Sequence, residues 1–224
     1  MSTSSPVVAI AAETEVFDRE VYVRLLELVL GVPVTPYKTE MVFGGRTRVR
    51  MLADAFLTRA FEDGVRHALF AIDNDGGLKR RPEHDDTHDP IAEVGATFER
   101  ANDACSTCLL ERCMPPSWRA QGGLLCLAVP VQTIETWLLC LKPHDFAGRP
   151  ELTFPRRVLK SWLYQGPEPQ ASTRLALALA ALAHPDALSR LRERPSFARF
   201  ERQALTWAVA PQTAAPAPYY ASGR

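Results

Sequence analysis

The chain has 224 residues, 46% of them hydrophobic and 23% charged, and its 26 basic and 26 acidic side chains give a formal net charge of zero. This is an ordinary globular composition, and the length suits one large domain or one domain with a small appendage. Zero net charge argues against a protein that coats nucleic acid through bulk charge, but it leaves room for a local basic groove.

The first part of the chain alternates apolar runs with helical periodicity. Continuous apolar runs predict buried strands over 7–12, 67–72 and 124–129, and a further strand, interrupted by two prolines, fits residues 32–42. Apolar residues at helical spacing predict a helix after each strand, over 16–30, 48–62, 91–110 and 131–141. Alternating strands and helices imply a mostly parallel, four-stranded sheet covered by helices on both faces, which is an α/β fold.

After residue 142 the pattern becomes purely helical. Helices are predicted over 156–165, 172–183, 186–192 and 196–209, with no clear strand between them. The last stretch is rich in alanine and proline and is expected to be disordered. The predicted organisation is an α/β domain over 6–142, a helical C-terminal appendage over 143–209 and a tail over 210–224.

Acidic residues follow three of the four predicted strands. Glu13 follows the first strand, Asp73 and Asp75 follow the third, and Glu135 lies in the first turn of the helix after the fourth. Because ligands of parallel sheets bind outside the carboxyl ends of the strands, these carboxylates should collect at one edge. Clustered carboxylates repel one another unless a cation neutralises them, and oxygen ligands suit Mg²⁺ or Mn²⁺. Such a cation can stabilise the charge that develops during phosphodiester cleavage.

Each acidic residue also has a plainer interpretation. An isolated Asp-x-Asp is common in solvated loops, so Asp73 and Asp75 alone do not establish a metal site. Glu135 alone is compatible with a carboxylate favoured by a helix dipole, and Glu13 with a residue of a helix cap. The joint placement at three strand ends is what favours a metal site.

These residues resemble a known family. A strand, Glu13 and a helix, followed by a strand and Asp73-Asn74-Asp75, resemble the Toprim domain of topoisomerases, bacterial primases and overcoming-lysogenization-defect nucleases. The run Ile-Glu-Thr-Trp-Leu-Leu at 134–139 is similar to a signature of the small Toprim-like proteins of the DUF4276 type. The run Arg-Pro-Ser-Phe-Ala-Arg-Phe at 194–200 resembles the C-terminal segment of that group.

The resemblance implies a Toprim-like fold in which Asp73 and Asp75 hold Mg²⁺. It implies Glu13 as general acid or base or as a further metal ligand, and Glu135 as an accessory acid. It also implies nucleic acid as the substrate and an ATPase partner in phage defence or DNA repair, while a homo-oligomer stays open. Many Toprim domains place glycine after the glutamate, where this chain has Thr14, and this leaves Glu15 as a rival for the catalytic position.

Basic residues near the acidic signals are candidates for binding phosphate, since basic contacts set affinity for nucleic acid. The candidates are Arg46, Arg48, Lys79 and Arg80, and Lys160 on a predicted C-terminal helix is a weaker one. The alternative is that such residues form a solvated face.

No membrane span or secretory signal is visible. No run approaches the length of about 18 apolar residues that a membrane helix needs, and the N-terminus lacks a basic stretch before an apolar core. We therefore expect a cytoplasmic protein with no membrane partner. In a reducing compartment the five cysteines, an odd number, are expected to be metal ligands or thiols rather than disulfides.

Three of the cysteines lie within nine positions and suit a structural zinc site. Cys105, Cys108 and Cys113 form C-x2-C-x4-C, and three thiolates with one imidazole make a closed tetrahedral site. His88 is the first choice for the fourth ligand and His84 the second. This site would fasten an insertion over 74–118, and the alternative is that the cysteines are free thiols. The other two cysteines, at 126 and 140, are expected in the core.

The sequence leaves three functional hypotheses. The first is a metal-dependent nuclease that uses Glu13, Asp73, Asp75 and Glu135. The second is a non-catalytic Toprim-like interaction module that serves an ATPase. The third is a phosphatase of the haloacid-dehalogenase type, in which Asp73 would be a phosphorylated nucleophile.

Overall fold

The central feature of the structure, a computed structural model, is a four-stranded parallel sheet. The structure describes residues 5–73, 123–130, 133–142 and 156–209. The strands are β1 (Val7–Ala11), β2 (Thr35–Pro36), β3 (His67–Ala71) and β4 (Leu124–Ala128). All three neighbouring pairs are parallel, in the order β2-β1-β3-β4. The α/β fold predicted from the sequence is therefore confirmed.

Seven helices lie in the described ranges, each within or overlapping a stretch that the sequence predicted to be helical. They are α1 (Asp18–Leu30), α2 (Arg46–Glu62), α3 (Glu135–Leu139), α4 (Arg156–Tyr164), α5 (Ala171–Leu182), α6 (Ala187–Arg192) and α7 (Pro195–Val209). None of these helices is long and apolar enough to cross a membrane. The helix expected over 91–110, the whole insertion expected over 74–118 and the tail over 210–224 fall outside the described residues.

Two elements are shorter than the sequence predicted. β2 spans only two residues, and the N–H groups of Thr35 and Tyr37, on either side of Pro36, donate to β1 and the residue just before it. The proline is tolerated there because β2 lies at the edge of the described sheet, where its missing N–H is not needed. α3 begins at Glu135 and not at residue 131. Just before it, the backbone N–H of Ile134 donates to the Asp73 carboxylate, so a side chain that follows β3 holds the entry to this helix.

β1, β3 and β4 are mostly buried on both faces, which explains their continuous apolar runs. Val8, Ile10 and Leu69 belong to the hydrophobic layer that includes α1, α3 and the C-terminal helices. Ala9 and Phe70, which point to the opposite face, belong to a second layer built mainly with α2. Neighbouring residues of one strand therefore enter different layers, as the two-residue period of a strand requires.

The C-terminal helices are part of the first hydrophobic layer. The Leu127 backbone N–H in β4 donates to Gln203 Oε1 of α7 at 2.9 Å, which satisfies a donor at the end of the described sheet. The fully buried ring of Trp137 packs edge-on against Phe197, with centroids 5.3 Å apart. The described part of the predicted appendage, 156–209, is helical as expected, and its last helix is fastened directly to β4.

Replacing Ser196 with alanine should destabilise the contact between α3 and α7. Trp137 Nε1 donates to Ser196 Oγ at 2.7 Å in the core, and Ser196→Ala would leave that buried donor without its acceptor. We expect the free energy of unfolding to fall by about 1–3 kcal/mol in urea denaturation. Ser189→Ala is the matched control, because Ser189 Oγ is exposed and donates only to the Asp186 carbonyl. Equal losses in the two variants would contradict the role given to this hydrogen bond.

Candidate functional site

The carboxyl ends of β1 and β3 bring two of the predicted acidic residues together. The backbone N–H of Asp73 donates to Glu13 Oε1 at 3.0 Å. Asp73 Oδ1 in turn accepts from the Ile134 backbone N–H at 3.2 Å, so the chain leading into α3 also joins this edge. Asp75, the other predicted metal ligand from this loop, lies outside the described residues.

Asp73 is more enclosed than Glu13 and Glu15, the acids that follow β1. Its side chain is 11% exposed, and its Oδ2 lies 3.4 Å from Arg156 Nη2. Burial raises the pKa of Asp73 well above its usual value, the negative charges of Glu13 and Asp18 raise it further, and Arg156 opposes the shift. Ionised Asp73 is therefore held in an environment that disfavours its charge, which is a common property of functional carboxylates.

Asp18 is a further member of this group that the sequence did not single out. Its Oδ2 accepts the Thr14 backbone N–H at 2.9 Å, and its own N–H donates to Thr14 Oγ1 at 3.1 Å. Burial raises the pKa of Asp18 to about 6, against the lowering effect of the Thr14 hydroxyl, with smaller raising contributions from Glu135 and Glu13. No signal in the sequence indicates this placement, because the relation of Asp18 to the other acids exists only in the folded chain. We refer to Glu13, Asp18, Asp73 and Glu135 as the acidic cluster.

Tyr22, one turn further along α1, faces the same cluster. It is 2% exposed and packs edge-on against Trp137 at a centroid distance of 6.3 Å. Burial raises the pKa of its phenol well above the usual value, and the charges of Asp73 and Asp18 add to that effect. Tyr22 therefore presents a neutral hydroxyl to the acidic cluster.

Glu135 is buried and engaged at both carboxylate oxygens. It is 2% exposed, and its Oε2 accepts a hydrogen bond from the Thr133 hydroxyl. Its Oε1 accepts from the Tyr164 hydroxyl at 3.1 Å and lies 3.3 Å from Lys160 Nζ. These contacts tie α3 to α4 and indicate that Glu135 positions the two helices.

The cationic partners of the acidic cluster come from α4. Arg156, Lys160 and Tyr164 are spaced four residues apart, so they share one face of that helix. Arg156 reaches Asp73, while Lys160 and Tyr164 reach Glu135. Of these three residues only Lys160 is predicted from the sequence, as a weaker candidate for binding phosphate. The four-residue spacing of polar side chains was the signal for the other two.

The start of α2 lies beside Glu13. The backbone N–H of Gly45 donates to the Glu13 carbonyl at 2.9 Å, and Gly45 has a φ of 83°, a left-handed conformation that favours glycine. Arg48, in the first turn of α2, is exposed at this edge, and the backbone of Arg46 opens the same helix. The other predicted phosphate ligands, Lys79 and Arg80, lie outside the described residues.

Glu13 and Glu15 differ clearly in their contacts. Glu13 accepts a hydrogen bond from Asp73, whereas Glu15 has no hydrogen bond or ion pair within the described ranges. This contact favours Glu13 over its rival as the residue of the candidate site.

The described part of the predicted cation site supplies two carboxylates, those of Glu13 and Asp73, which are hard oxygen donors. Burial raises the pKa of Asp73 and the charge of Glu13 raises it further, and a bound cation would offset both effects. In the described ranges no three His, Cys, Asp or Glu side chains form a metal-binding group. Asp75 and the predicted zinc ligands lie beyond those ranges, the latter being Cys105, Cys108, Cys113 and His88, with His84 as the second choice. Cys126 and Cys140 are buried, as predicted.

The functional assignment rests on these residues and their geometry. Comparisons with protein families, with curated proteins and with solved structures found no match to this chain. The resemblance to the Toprim and DUF4276 proteins therefore stays a hypothesis carried by the strand-end acids and the two sequence runs quoted above.

Proposed function

We propose that the protein is a Toprim-like, Mg²⁺-dependent nuclease component that cleaves phosphodiester bonds in nucleic acid. The observation that carries the proposal is the hydrogen bond from the Asp73 backbone N–H to the Glu13 carboxylate, which joins the carboxyl ends of two neighbouring parallel strands. Ligands of such sheets bind at this edge, and two adjoining carboxylates there match the oxygen chemistry of a magnesium site.

The proposed roles follow from the position of each side chain. Asp73 and Asp75 would hold Mg²⁺, and the cation would supply positive charge that stabilises a phosphodiester during cleavage. Glu13 would act either as the general acid or base or as a further ligand of the cation. Asp73 keeps its orientation through the Ile134 N–H. Glu135 acts indirectly, because its oxygens hold α4 in place and do not face a reacting group.

Partners follow from the same hypothesis. A nucleic-acid substrate is expected to meet Arg48 as it approaches the cluster, since this exposed arginine lies in the first turn of the helix that adjoins Glu13. An ATPase that works with the protein in phage defence or DNA repair belongs to the proposal on the strength of the resemblance alone.

The decisive experiment compares Glu13→Gln with Glu15→Gln in cleavage assays with DNA and RNA, in Mg²⁺ or Mn²⁺ and in EDTA. We expect cleavage to require the cation and to fall about a hundredfold in Glu13→Gln, the scale of a lost acid–base group. Glu15→Gln is expected to cleave like the wild type. The amide introduced by Glu13→Gln retains an acceptor for the Asp73 N–H, so both variants should fold.

Two outcomes would contradict the proposal. Cleavage that survives in Glu13→Gln and is lost in Glu15→Gln would move the site to the rival glutamate. Absence of cleavage on every substrate, in the presence of any candidate ATPase, would remove the nuclease assignment.

A non-catalytic interaction module is the second candidate, and one observation favours it. The acids are partly satisfied without a metal, because Asp73 contacts Ile134 and Arg156, and Glu135 is fully engaged within the protein. A module of this kind would show neither cleavage nor any change in melting temperature on addition of Mg²⁺.

A further inference from the structure

A cleft beside the acidic cluster has a basic lining. It lies between α4 and the turn that leads to α5, has a volume of about 760 Å³, and is lined by residues that include Arg156, Arg157, Lys160, Ser161 and Glu168. The turn is held by a hydrogen bond of 3.1 Å from the Gly166 N–H to the Ser161 carbonyl. This volume falls in the range of sites that hold small molecules or one unit of a polymer.

The charges of this cleft do not cancel. Three cationic side chains face one carboxylate, Glu168, which is already bound by Lys160 at 2.8 Å and by Arg174. Lys160 is also committed to Glu135. Arg157 is exposed and has no hydrogen bond or ion pair within the described residues. Arg156 is paired with Asp73 and Lys160 with two glutamates, so Arg157 is the cation of the cleft lining that has no carboxylate partner among the described residues.

Arg156 connects the cleft to the acidic cluster. Its guanidinium lies 3.4 Å from Asp73 Oδ2, and its side chain is 41% exposed and also lines the cleft. An anion in the cleft would therefore lie next to the carboxylates. The planar guanidinium groups of Arg156 and Arg157 and the Ser161 hydroxyl are donors that suit phosphate oxygens.

We propose that this cleft, lined by Arg156, Arg157 and Ser161, binds a phosphate group. On the proposed nuclease function, on which this assignment rests, that group belongs to the backbone of the nucleic acid and lies next to the bond that is cleaved. The cleft then fixes the register of the strand, which is the usual role of phosphate contacts. Net neutrality of the chain makes this local site more important than bulk charge for binding.

The test measures binding without cleavage. Fluorescence anisotropy of a labelled single-stranded oligonucleotide, in EDTA and over a series of salt concentrations, compares wild type with Arg157→Gln. We expect affinity to fall about tenfold and the slope of log affinity against log salt to fall in size by about 1, as for one lost phosphate contact. Arg157→Lys, which keeps the charge, should restore part of the affinity.

Arg202→Gln is the matched control, since Arg202 is an exposed arginine of α7 outside the cleft. Equal weakening in the two glutamine variants would indicate bulk charge and overturn the site, as would unchanged binding in Arg157→Gln. Calorimetric titration with inorganic phosphate separates the two sources of phosphate. If Arg157→Gln weakens the binding of inorganic phosphate but not that of the oligonucleotide, the assignment to a nucleic-acid backbone is overturned.

The cleft and the nuclease hypothesis fail in different ways. If oligonucleotide binding depends on Arg157 but no cleavage occurs in Mg²⁺, the phosphate site in the cleft is supported and the nuclease function is overturned. Cleavage that is lost in Glu13→Gln but unchanged in Arg157→Gln at low substrate concentration would support the nuclease function and overturn the phosphate site in the cleft.

Discussion

Asp73→Asn is expected to stabilise the protein while abolishing its metal-dependent cleavage. Asp73 is nearly buried, and its pKa is raised by burial and by the charges of Glu13 and Asp18, so its ionised form opposes folding at neutral pH. Asparagine removes that charge and keeps an oxygen that accepts the Ile134 N–H. The lost Arg156 contact is 3.4 Å long with a half-exposed guanidinium, and such pairs contribute little.

The expected gain is about 1 kcal/mol, the usual size for relieving an unfavourable charge, which raises the melting temperature by about 2–4 °C. Cleavage should fall about a thousandfold, because the variant loses an anionic ligand of the cation that would stabilise the reacting phosphate. Mg²⁺ should raise the melting temperature of the wild type and leave that of Asp73→Asn unchanged, since a ligand stabilises only the protein that binds it.

Asp54→Asn is the matched control, because Asp54 is exposed on α2 and lies outside the acidic cluster. It should change neither the melting temperature nor the response to Mg²⁺. A wild-type melting temperature that ignores Mg²⁺, together with a destabilised Asp73→Asn, would mean that the carboxylate is a structural acceptor for Ile134 and Arg156.

The direction of the pH dependence follows from the same shifts. A carboxyl group whose pKa is raised in the folded state binds more protons folded than unfolded, so it lowers stability as pH rises towards its folded pKa. For Asp18 that window runs from its ordinary value of 3.8 to about 6. Burial lowers the pKa of His67. The contribution of this histidine therefore makes stability increase as pH rises towards its ordinary pKa of 6.5. Differences between wild type and Asp73→Asn isolate the acidic cluster from this histidine.

The sheet could be predicted because burial on both faces leaves a simple pattern. β1, β3 and β4 appear in the sequence as continuous apolar runs, and each is found within one residue of its predicted limits. Gly31, in a left-handed conformation, ends α1 where the sequence placed its end. β2 was overestimated, because the apolar residues around its prolines have a pattern like that of a longer strand.

The acidic residues were predictable only in part, because topology brings strand ends together but does not determine side-chain contacts. Glu13 and Asp73 meet at one edge, as parallel strands require. The engagement of Glu135 by α4 depends on a helix some twenty residues further along the chain, and no local pattern indicates such a contact. The same reason explains why Arg156 and Asp18 were missed: their relation to Asp73 exists only in the folded chain.

Lys160→Met is expected to be among the most destabilising single substitutions near the site. Glu135 is 2% exposed, and Lys160, whose side chain is 15% exposed, is the cation that lies against it. Removing one partner of a buried pair leaves an uncompensated charge, which costs about 3–5 kcal/mol. Lys38→Met, at an exposed position with no partner in the described ranges, should change the free energy of unfolding by less than about 0.5 kcal/mol.

The double variant Glu135→Gln/Lys160→Met distinguishes a positioning role for Glu135 from a catalytic one. The glutamine introduced by Glu135→Gln is neutral and its amide oxygen still accepts from Tyr164, so the double variant should recover most of the stability lost in Lys160→Met. Urea denaturation of the four proteins in this cycle should give a coupling energy of about 2–3 kcal/mol. Glu135→Gln alone should retain most of the cleavage activity, because the carboxylate contacts protein groups at both oxygens. Additive losses of stability, with cleavage abolished in Glu135→Gln, would instead make Glu135 the accessory acid that the sequence resemblance implies.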